Sequence, residues 1–463
     1  MKTISMFFMT ASVAWLAFSC DRQVKQKFDG TPGEVKIMTL DPGHFHAALV
    51  QKIMYPQVDS DVHVFAPQGE DLLMHLKRIQ GFNTRTENPT HWNEIIYESE
   101  DYFQKMLELS PGNVVMLAGN NGLKMGYIRG SIEAGLNVYA DKPMAIDREG
   151  YGMLLEAFDK AEKKGVLLYD IMTERYEITN ALQIELARIP ELFGEPEEGT
   201  LEEPAIINES IHHFFKYVSG APNIRPEWFF DVKQQGEGIV DVTTHLVDLI
   251  QLTVVGENPI DINKQVALTG AKRWPTAITP SQWQLVTGRQ AYPDYLSGHV
   301  ADGALQVYAN GQIDFTLNGV NCRAVVRWNF VAPEGTGDSH YVLVRGTKAD
   351  ISIRQTAAEG YKPQIYISRK EGVSEEVFAN TLKESVARLA EKYPGLEVEQ
   401  ADAGWRLVIP SSYDVGHEAH FGQVTEKYLR FLIDGKLPAW EVANMKSKYF
   451  ITTSALEKAL GGE

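Results

Sequence analysis

Short apolar runs alternate with stretches whose apolar residues recur at helical spacing, beginning at Glu34. Residues 35–40, 62–67, 114–119, 137–140 and 166–171 read as strands, and such unbroken apolar runs suit strands covered on both faces. Residues 47–54, 123–134 and 151–164 read as helices between them. Strand and helix in succession predict an α/β domain with a doubly wound parallel sheet, Rossmann-like, that takes its ligand at the carboxyl ends of its strands. This domain is expected over residues 34–177. The pattern then changes. Residues 205–210, 303–309, 312–317, 322–328, 341–345 and 350–354 read as strands joined by turn residues such as Asn310-Gly311 and Gly346-Thr347. Helical spacing returns at 375–391, 419–434 and 442–460. A C-terminal α+β domain with a largely antiparallel sheet is therefore expected over 178–463.

The N-terminus reads as an export signal. Lys2 precedes a mostly apolar run from 3 to 19, too short and too weakly flanked by charge for a membrane span. Ala17-Phe18-Ser19 leads into Cys20, which resembles the lipobox of bacterial lipoproteins. That resemblance implies a lipidated Cys20 and a mature protein held by this anchor in the cell envelope, on the periplasmic side. Residues 21–33 are polar, end in Gly-Thr-Pro-Gly, and read as a tether. At 463 residues the chain exceeds the usual size of one domain. A net charge of −17 argues against nucleic acid or an anionic membrane surface as partner. Once Cys20 is lipidated, Cys322 has no intramolecular partner for a disulfide.

Two motifs carry the chemistry. Asp141-Lys142-Pro143 follows an apolar strand, and Gly236-Glu237-Gly238 opens a segment in which Asp241 and His245 stand four residues apart, on one face of a predicted helix. Burial is expected to lower the pKa of Lys142, and His245 is expected to titrate near its ordinary value. Asp248, one turn further on, is expected on a solvated or interdomain face. The pair of motifs resembles the Gfo/Idh/MocA oxidoreductase family of sugar and inositol dehydrogenases. That resemblance implies that Lys142, Asp241 and His245 are catalytic, with His245 as general base, Asp241 orienting it or the substrate, and Lys142 stabilising the oxygen. It also implies NAD or NADP as cofactor and a small carbohydrate as substrate.

The turn after the first strand departs from the dinucleotide fingerprint. It reads Asp41-Pro42-Gly43-His44-Phe45-His46, and only the middle glycine is kept, at Gly43. The second strand ends at Ala66 and Pro67, where an acid would hold the ribose hydroxyls. Cofactor contacts are assigned to Gly43, His44, Phe45, Asn120, Asn121 and Lys142, and substrate contacts to His213, Lys216 and Trp228. No metal site is expected: His44 and His46 have no carboxylate or cysteine nearby in sequence, and His417-Glu418-Ala419-His420 has the wrong spacing for a zinc protease. Three functions remain: a sugar or polyol dehydrogenase, a glycosidase or lyase using tightly bound NAD transiently, and an inert sugar-binding lipoprotein. The sequence leaves homo-oligomerisation open.

Overall fold

A computed structural model describes residues 27–218, 221–334 and 336–461. The leader and Cys20 lie outside the described residues. Of the expected tether, residues 27–33 are described, and there Phe28 is buried in the first core, so this end is docked.

Among the described residues the first sheet has six strands, β1 (Ile37–Leu40), β2 (Asp61–Ala66), β3 (Asn93–Glu98), β4 (Val114–Leu117), β5 (Asn137–Asp141) and β6 (Leu168–Ile171). They run parallel in the order β3-β2-β1-β4-β5-β6. β1, β4, β5 and β6 are buried along their whole length, hence their unbroken apolar sequences. Helices α1 (His46–Leu49), α2 (Glu70–Thr84), α3 (Tyr102–Leu109), α4 (Asn121–Glu133) and α5 (Arg148–Lys164) make the crossovers. Helix α5 shows the local logic: Asp147 caps the Gly150 amide, two lysines occupy the last turn, and left-handed Gly165 ends it. The expected helix at 47–54 closes at Leu49, and the following residues turn toward Pro56, which cannot extend a helix. β3 escapes the apolar pattern because it is an edge strand carrying Asn93, Glu94 and Glu98.

After α6 (Ile178–Ala187) comes β7 (Ile206–Phe215), then a small ribbon of β8 (Tyr217–Val218) and β9 (Ala221–Pro222). Helices α7 (Val232–Gln235), α8 (Thr243–Val255) and α9 (Ile262–Gln265) precede β10 (Val266–Ile278) and α10 (Pro280–Thr287). The strands continue as β11 (Val300–Ala301), β12 (Ala304–Leu317), β13 (Val320–Val331), β14 (Ser339–Arg345), β15 (Ala349–Arg354) and β16 (Gln364–Arg369). Helix α11 (Glu375–Lys392), the hairpin β17 (Glu397–Ala401) and β18 (Gly404–Val408), and helices α12 (His417–Asp434) and α13 (Ala439–Gly461) finish the chain. Nine strands run in the order β10-β12-β13-β7-β14-β15-β16-β18-β17, with β11 alongside β12. The pairing is antiparallel except between β13 and β7.

The turn expected at Asn310-Gly311 is absent, and β12 runs straight through it. Gly311 serves a different purpose. A Cβ there would stand 2.6 Å from Cβ of Ile239, and one on Gly238 would stand 1.7 Å from the carbonyl oxygen of Ala309. The glycines let the turn before α8 lie directly on β12.

The end of the chain returns to the first sheet. Tyr428 of α12 stacks on Tyr139 of β5 at 4.4 Å between ring centroids, and Phe421, Val424 and Leu432 join the same core. Buried charges complete the joint. Arg175, just beyond β6, donates to both oxygens of Asp248 on α8 at 2.6 and 2.7 Å and to Glu441 of α13 at 2.9 and 3.0 Å. Lys448 of α13 bridges Asp248 at 3.0 Å and Asp170 of β6 at 2.8 Å. Asp248, expected on a solvated or interdomain face, lies on the interdomain side and is enclosed by this network.

Burial pushes the Asp248 carboxyl up, but Arg175 and Lys448 outweigh it and hold it well below the usual carboxylate range. A depressed carboxylate stabilises the fold above its unfolded pKa of about 4, and that contribution is lost as pH falls through the folded value. Removing one partner of a buried ion pair costs about 3–5 kcal/mol. Arg175→Met leaves Lys448 on Asp248 and Lys427 on Glu441, so about 3 kcal/mol is expected at pH 7. Urea unfolding at pH 7 and pH 4 checks this: the variant is less stable at pH 7, and the gap narrows in acid.

Candidate functional site

The carboxyl ends of β1, β4 and β5 face the second sheet across a cavity of about 1280 Å³, lined by His44, Lys142, Glu174, Asp241, His245 and His417 among others. It lies where the strand order reverses between β1 and β4, the position at which open α/β sheets bind ligands.

Lys142 leaves the end of β5 and donates to Asp241 Oδ1 at 2.6 Å. Its turn is pinned from below by the buried Lys124, whose Nζ donates to the carbonyls of Asp141 and Pro143 at 2.8 and 3.0 Å and to Asn121 Oδ1 at 2.5 Å. Burial lowers the Lys124 pKa to about 8. Burial likewise pulls the Lys142 ammonium down, but Asp241 and Asp141 outweigh it and the net shift is upward. The expected lowering is therefore corrected, because two carboxylates accompany the lysine into the interior.

Asp241 precedes α8 rather than lying in its first turn. Its amide donates to the Glu237 carbonyl at 3.0 Å, and its Oδ2 accepts from Gln235 Nε2 at 3.1 Å. Thr243 and Thr244 fix this turn through hydroxyl bonds to the carbonyls of Gly238 and Val240. His245 follows in the first turn of α8. Its buried Nδ1 has no hydrogen-bond partner, and Asp241, expected to orient it or the substrate, is bonded to Lys142 and Gln235. Burial first, and the Lys142 charge second, lower the His245 pKa to about 3. That corrects the expected near-ordinary value: the imidazole is neutral at neutral pH.

His44 and His46 turn toward Asp141. His46 Nδ1 lies 2.9 Å and His44 Nδ1 3.6 Å from the same oxygen, Oδ2. Burial, then His46, holds His44 well below the usual histidine range, and burial, then His417, does the same to His46. Beside His46, whose ring lies 5.7 Å from that of His417, Glu174 Oε1 faces His417 Nδ1 at 3.6 Å. Burial raises the Glu174 carboxyl, but His417 outweighs it and the net shift is well downward.

The remaining expected residues divide. Lys216 lines the cavity and donates to Asp338 Oδ2 at 2.6 Å. His212, not His213, is the cavity-facing histidine of β7. It stacks on Trp328 at 5.1 Å and lies 3.2 Å from Asp338, while His213 is buried behind it at 3.1 Å from the same carboxylate. Trp228, expected on substrate, sits elsewhere. Its indole donates to Asp71 Oδ2 at 2.8 Å and covers Gly43, where an added Cβ would meet Cζ2 at 2.9 Å. Asn120 caps α4 and donates to Gln234 at 2.8 Å, and Asn121 lines the cavity while donating to the Gln235 carbonyl at 2.8 Å. Both amides thus dock α7 on the first domain. Asp141, Glu174, His212, Asp338 and His417 were missed as members of the site. Asp141, His417 and His212, the neighbour of His213, stood in segments the sequence singles out; Asp338 lies in a loop with no sequence signal.

The residues at one end of this cleft suit the nicotinamide end of a dinucleotide. Gly119, Asn121 and Lys142 line the large cavity at the ends of β4 and β5, with Asp241 and His245 opposite. Over Gly43 the Trp228 indole occupies the approach that this glycine leaves open, and the Asp71 carboxyl beside it is raised by burial to about 6. A second cavity of about 500 Å³ lies beyond the indole, lined by Asp41, Ala66 and Arg289 among others. A dinucleotide joining the two cavities requires the indole to swing away.

A family model described as "Putative oxidoreductase C terminal domain" matches residues 182–460. Comparison with curated proteins gives no match. Among solved structures, a "putative oxidoreductase" from Parabacteroides merdae is 51% identical, with a TM-score of 0.93 over 95% of this chain and 100% of that one. Levoglucosan dehydrogenase in complex with NADH and levoglucosan is 15% identical, with a TM-score of 0.58 over 92% of this chain and 98% of its own. KijD10, a 3-ketoreductase from Actinomadura kijaniata solved with NADP, is 12% identical, with a TM-score of 0.53 over 90% and 95%. At these identities the last two show the shared fold.

His245 also sets a pH dependence. Its folded pKa is depressed, so unfolding takes up a proton once pH falls below the unfolded value of about 6.5. Its stabilising contribution is present above that pH and lost below it, by about 1–2 kcal/mol at pH 5. Melting the wild type and His245→Gln at pH 7.5 and pH 5 checks this: the wild type loses more stability on acidification than the variant.

Proposed function

Because this chain belongs to the Gfo/Idh/MocA family of oxidoreductases, we propose that it moves a hydride between NAD or NADP and a hydroxyl-bearing carbon of a sugar or sugar-derived polyol. The observation that carries this reading is the buried Lys142–Asp241 ion pair on the wall of a large cavity that is also lined by the neutral imidazole of His245. The bound dinucleotide would supply the hydride acceptor or donor.

The chain's own residues handle the proton and the charge. Asp241 keeps Lys142 protonated, so an ammonium is available to a substrate oxygen as it becomes negative. His245 is neutral and lines the cavity, where its imidazole can accept the hydroxyl proton. An imidazole with a pKa of about 3 is too weak a base to ionise a resting alcohol. It accepts the proton as the hydride departs and the hydroxyl, becoming a carbonyl, turns strongly acidic. Glu174 favours the imidazolium that results. Trp328 and Phe229 give the cavity apolar faces, and His212, Lys216 and Asp338 give it donors and acceptors, the mixture a sugar ring requires.

Lipidation of Cys20 would place this activity at the cell envelope, outside the cytoplasm. No helix among the described residues is long and apolar enough to cross a membrane. The indole over Gly43 favours a second reading, a sugar-binding protein whose nucleotide strip has fallen out of use. Turnover separates the two. With a panel of sugars and glycosides as substrates, Lys142→Met, Asp241→Asn and His245→Gln should each lower kcat by about 10² or more, the scale of acid–base contributions. Binding of sugars without oxidation by the wild type would support the second reading. Net hydrolysis without accumulation of reduced nucleotide would favour transient redox chemistry.

A further inference from the structure

We infer that His44, His46 and Asp141 form a binding site for one divalent transition-metal cation of the zinc class, open on its cavity side to oxygens of a sugar. The three residues offer one ligand atom each, all within 4.8 Å of one another. In a tetrahedral zinc site with bonds of about 2.0–2.1 Å, neighbouring ligand atoms stand about 3.3 Å apart. The two histidine Nδ1 atoms lie 2.9 and 3.6 Å from Asp141 Oδ2, on either side of that spacing. Two imidazoles and a carboxylate form a donor set common to zinc and to non-haem iron.

A plain hydrogen bond between His46 and Asp141 explains only part of this arrangement. His44 Nδ1 is shut away from solvent, makes no hydrogen bond, and still points at an oxygen already engaged by His46. A cation between the three accepts a lone pair from each and leaves none of them idle. The supports resemble those of a held ligand set. Phe45 and Phe421 pack on the His46 ring at 4.5 and 4.6 Å, and Lys124 holds the Asp141 carbonyl at 2.8 Å. His46 opens α1 at the place where a dinucleotide fingerprint would carry its third glycine, and His44 stands two residues before it, beside Gly43. The carboxylate that sequence distance hid lies 95 residues beyond His46 and arrives through the sheet order, in which β4 alone separates β5 from β1.

All three residues line the large cavity that holds Lys142 and His245. Coordination positions left open by three protein ligands therefore face the place proposed for the sugar, where two neighbouring hydroxyl oxygens, or a hydroxyl and a keto oxygen, can complete the shell. The inference concerns metal binding and does not depend on the dinucleotide reading.

The test uses the full chain, in detergent if lipidated, stripped with a chelator and titrated with Zn²⁺ by calorimetry and with Co²⁺ by visible absorption. One saturable equivalent is expected, with ligand-field bands from Co²⁺. His44→Asn and His46→Asn should each weaken binding by more than about 100-fold, since even outer-shell changes cost 10–100-fold. His44 is the less buried of the two and so the variant less exposed to folding defects; thermal melts establish that each is folded. A wild type without saturable binding, or folded variants that bind as it does, would overturn the inference. Metal binding in a chain that never takes a dinucleotide would overturn the previous reading and keep this one.

Discussion

Asp248 is the carboxylate on which the architecture turns. It sits one turn beyond His245 on α8 and is gripped by Arg175 from the end of the parallel sheet and by Lys448 from the last helix. Three segments distant in sequence meet at one buried charge. Because an unpaired carboxylate in that place would be far more costly than a paired one, α8 has little freedom to slide or rotate. His245 and the turn carrying Asp241 inherit that fixed position. The precision of the Lys142–Asp241 contact across the two halves of the molecule thus depends on an ion network that touches no ligand.

The electrostatics of the cavity follow from burying several charges together. Lys142 is kept charged by two carboxylates, and its charge in turn helps to keep His245 neutral. One group therefore presents a positive charge and its neighbour a free lone pair at the same pH, a division of labour that isolated side chains in water would not show. Glu174 and His417 stand 3.6 Å apart beside His46 and belong to the same buried cluster.

Much of the fold was legible in the sequence. β1, β4, β5 and β6 announce themselves because strands buried on both faces must be apolar throughout. β3 does not, because an edge strand needs only partial cover. Asn310-Gly311 misleads for a different reason: the glycine serves a close approach by Ile239, and glycine looks the same in a turn and in a packed strand. At the site, Lys142, Asp241 and His245 could be named because their motifs are local. Asp141 as partner of His46, Glu174 as partner of His417, and Asp338 beneath His212 and Lys216 depend on long-range juxtaposition, and no spacing rule reveals them. Both pKa expectations failed for that same reason, since each shift comes from neighbours supplied by the fold. Trp228 is the clearest case: an aromatic that suits a sugar ring is used to cover Gly43.

Identifying the small molecule released when the purified full-length protein is denatured tests the proposed oxidoreductase most directly. Mass spectrometry of the supernatant should find NAD or NADP at close to one equivalent per chain. A preparation free of dinucleotide, together with no binding of either cofactor at millimolar concentration even when Trp228→Ala has opened the strip over Gly43, would contradict it.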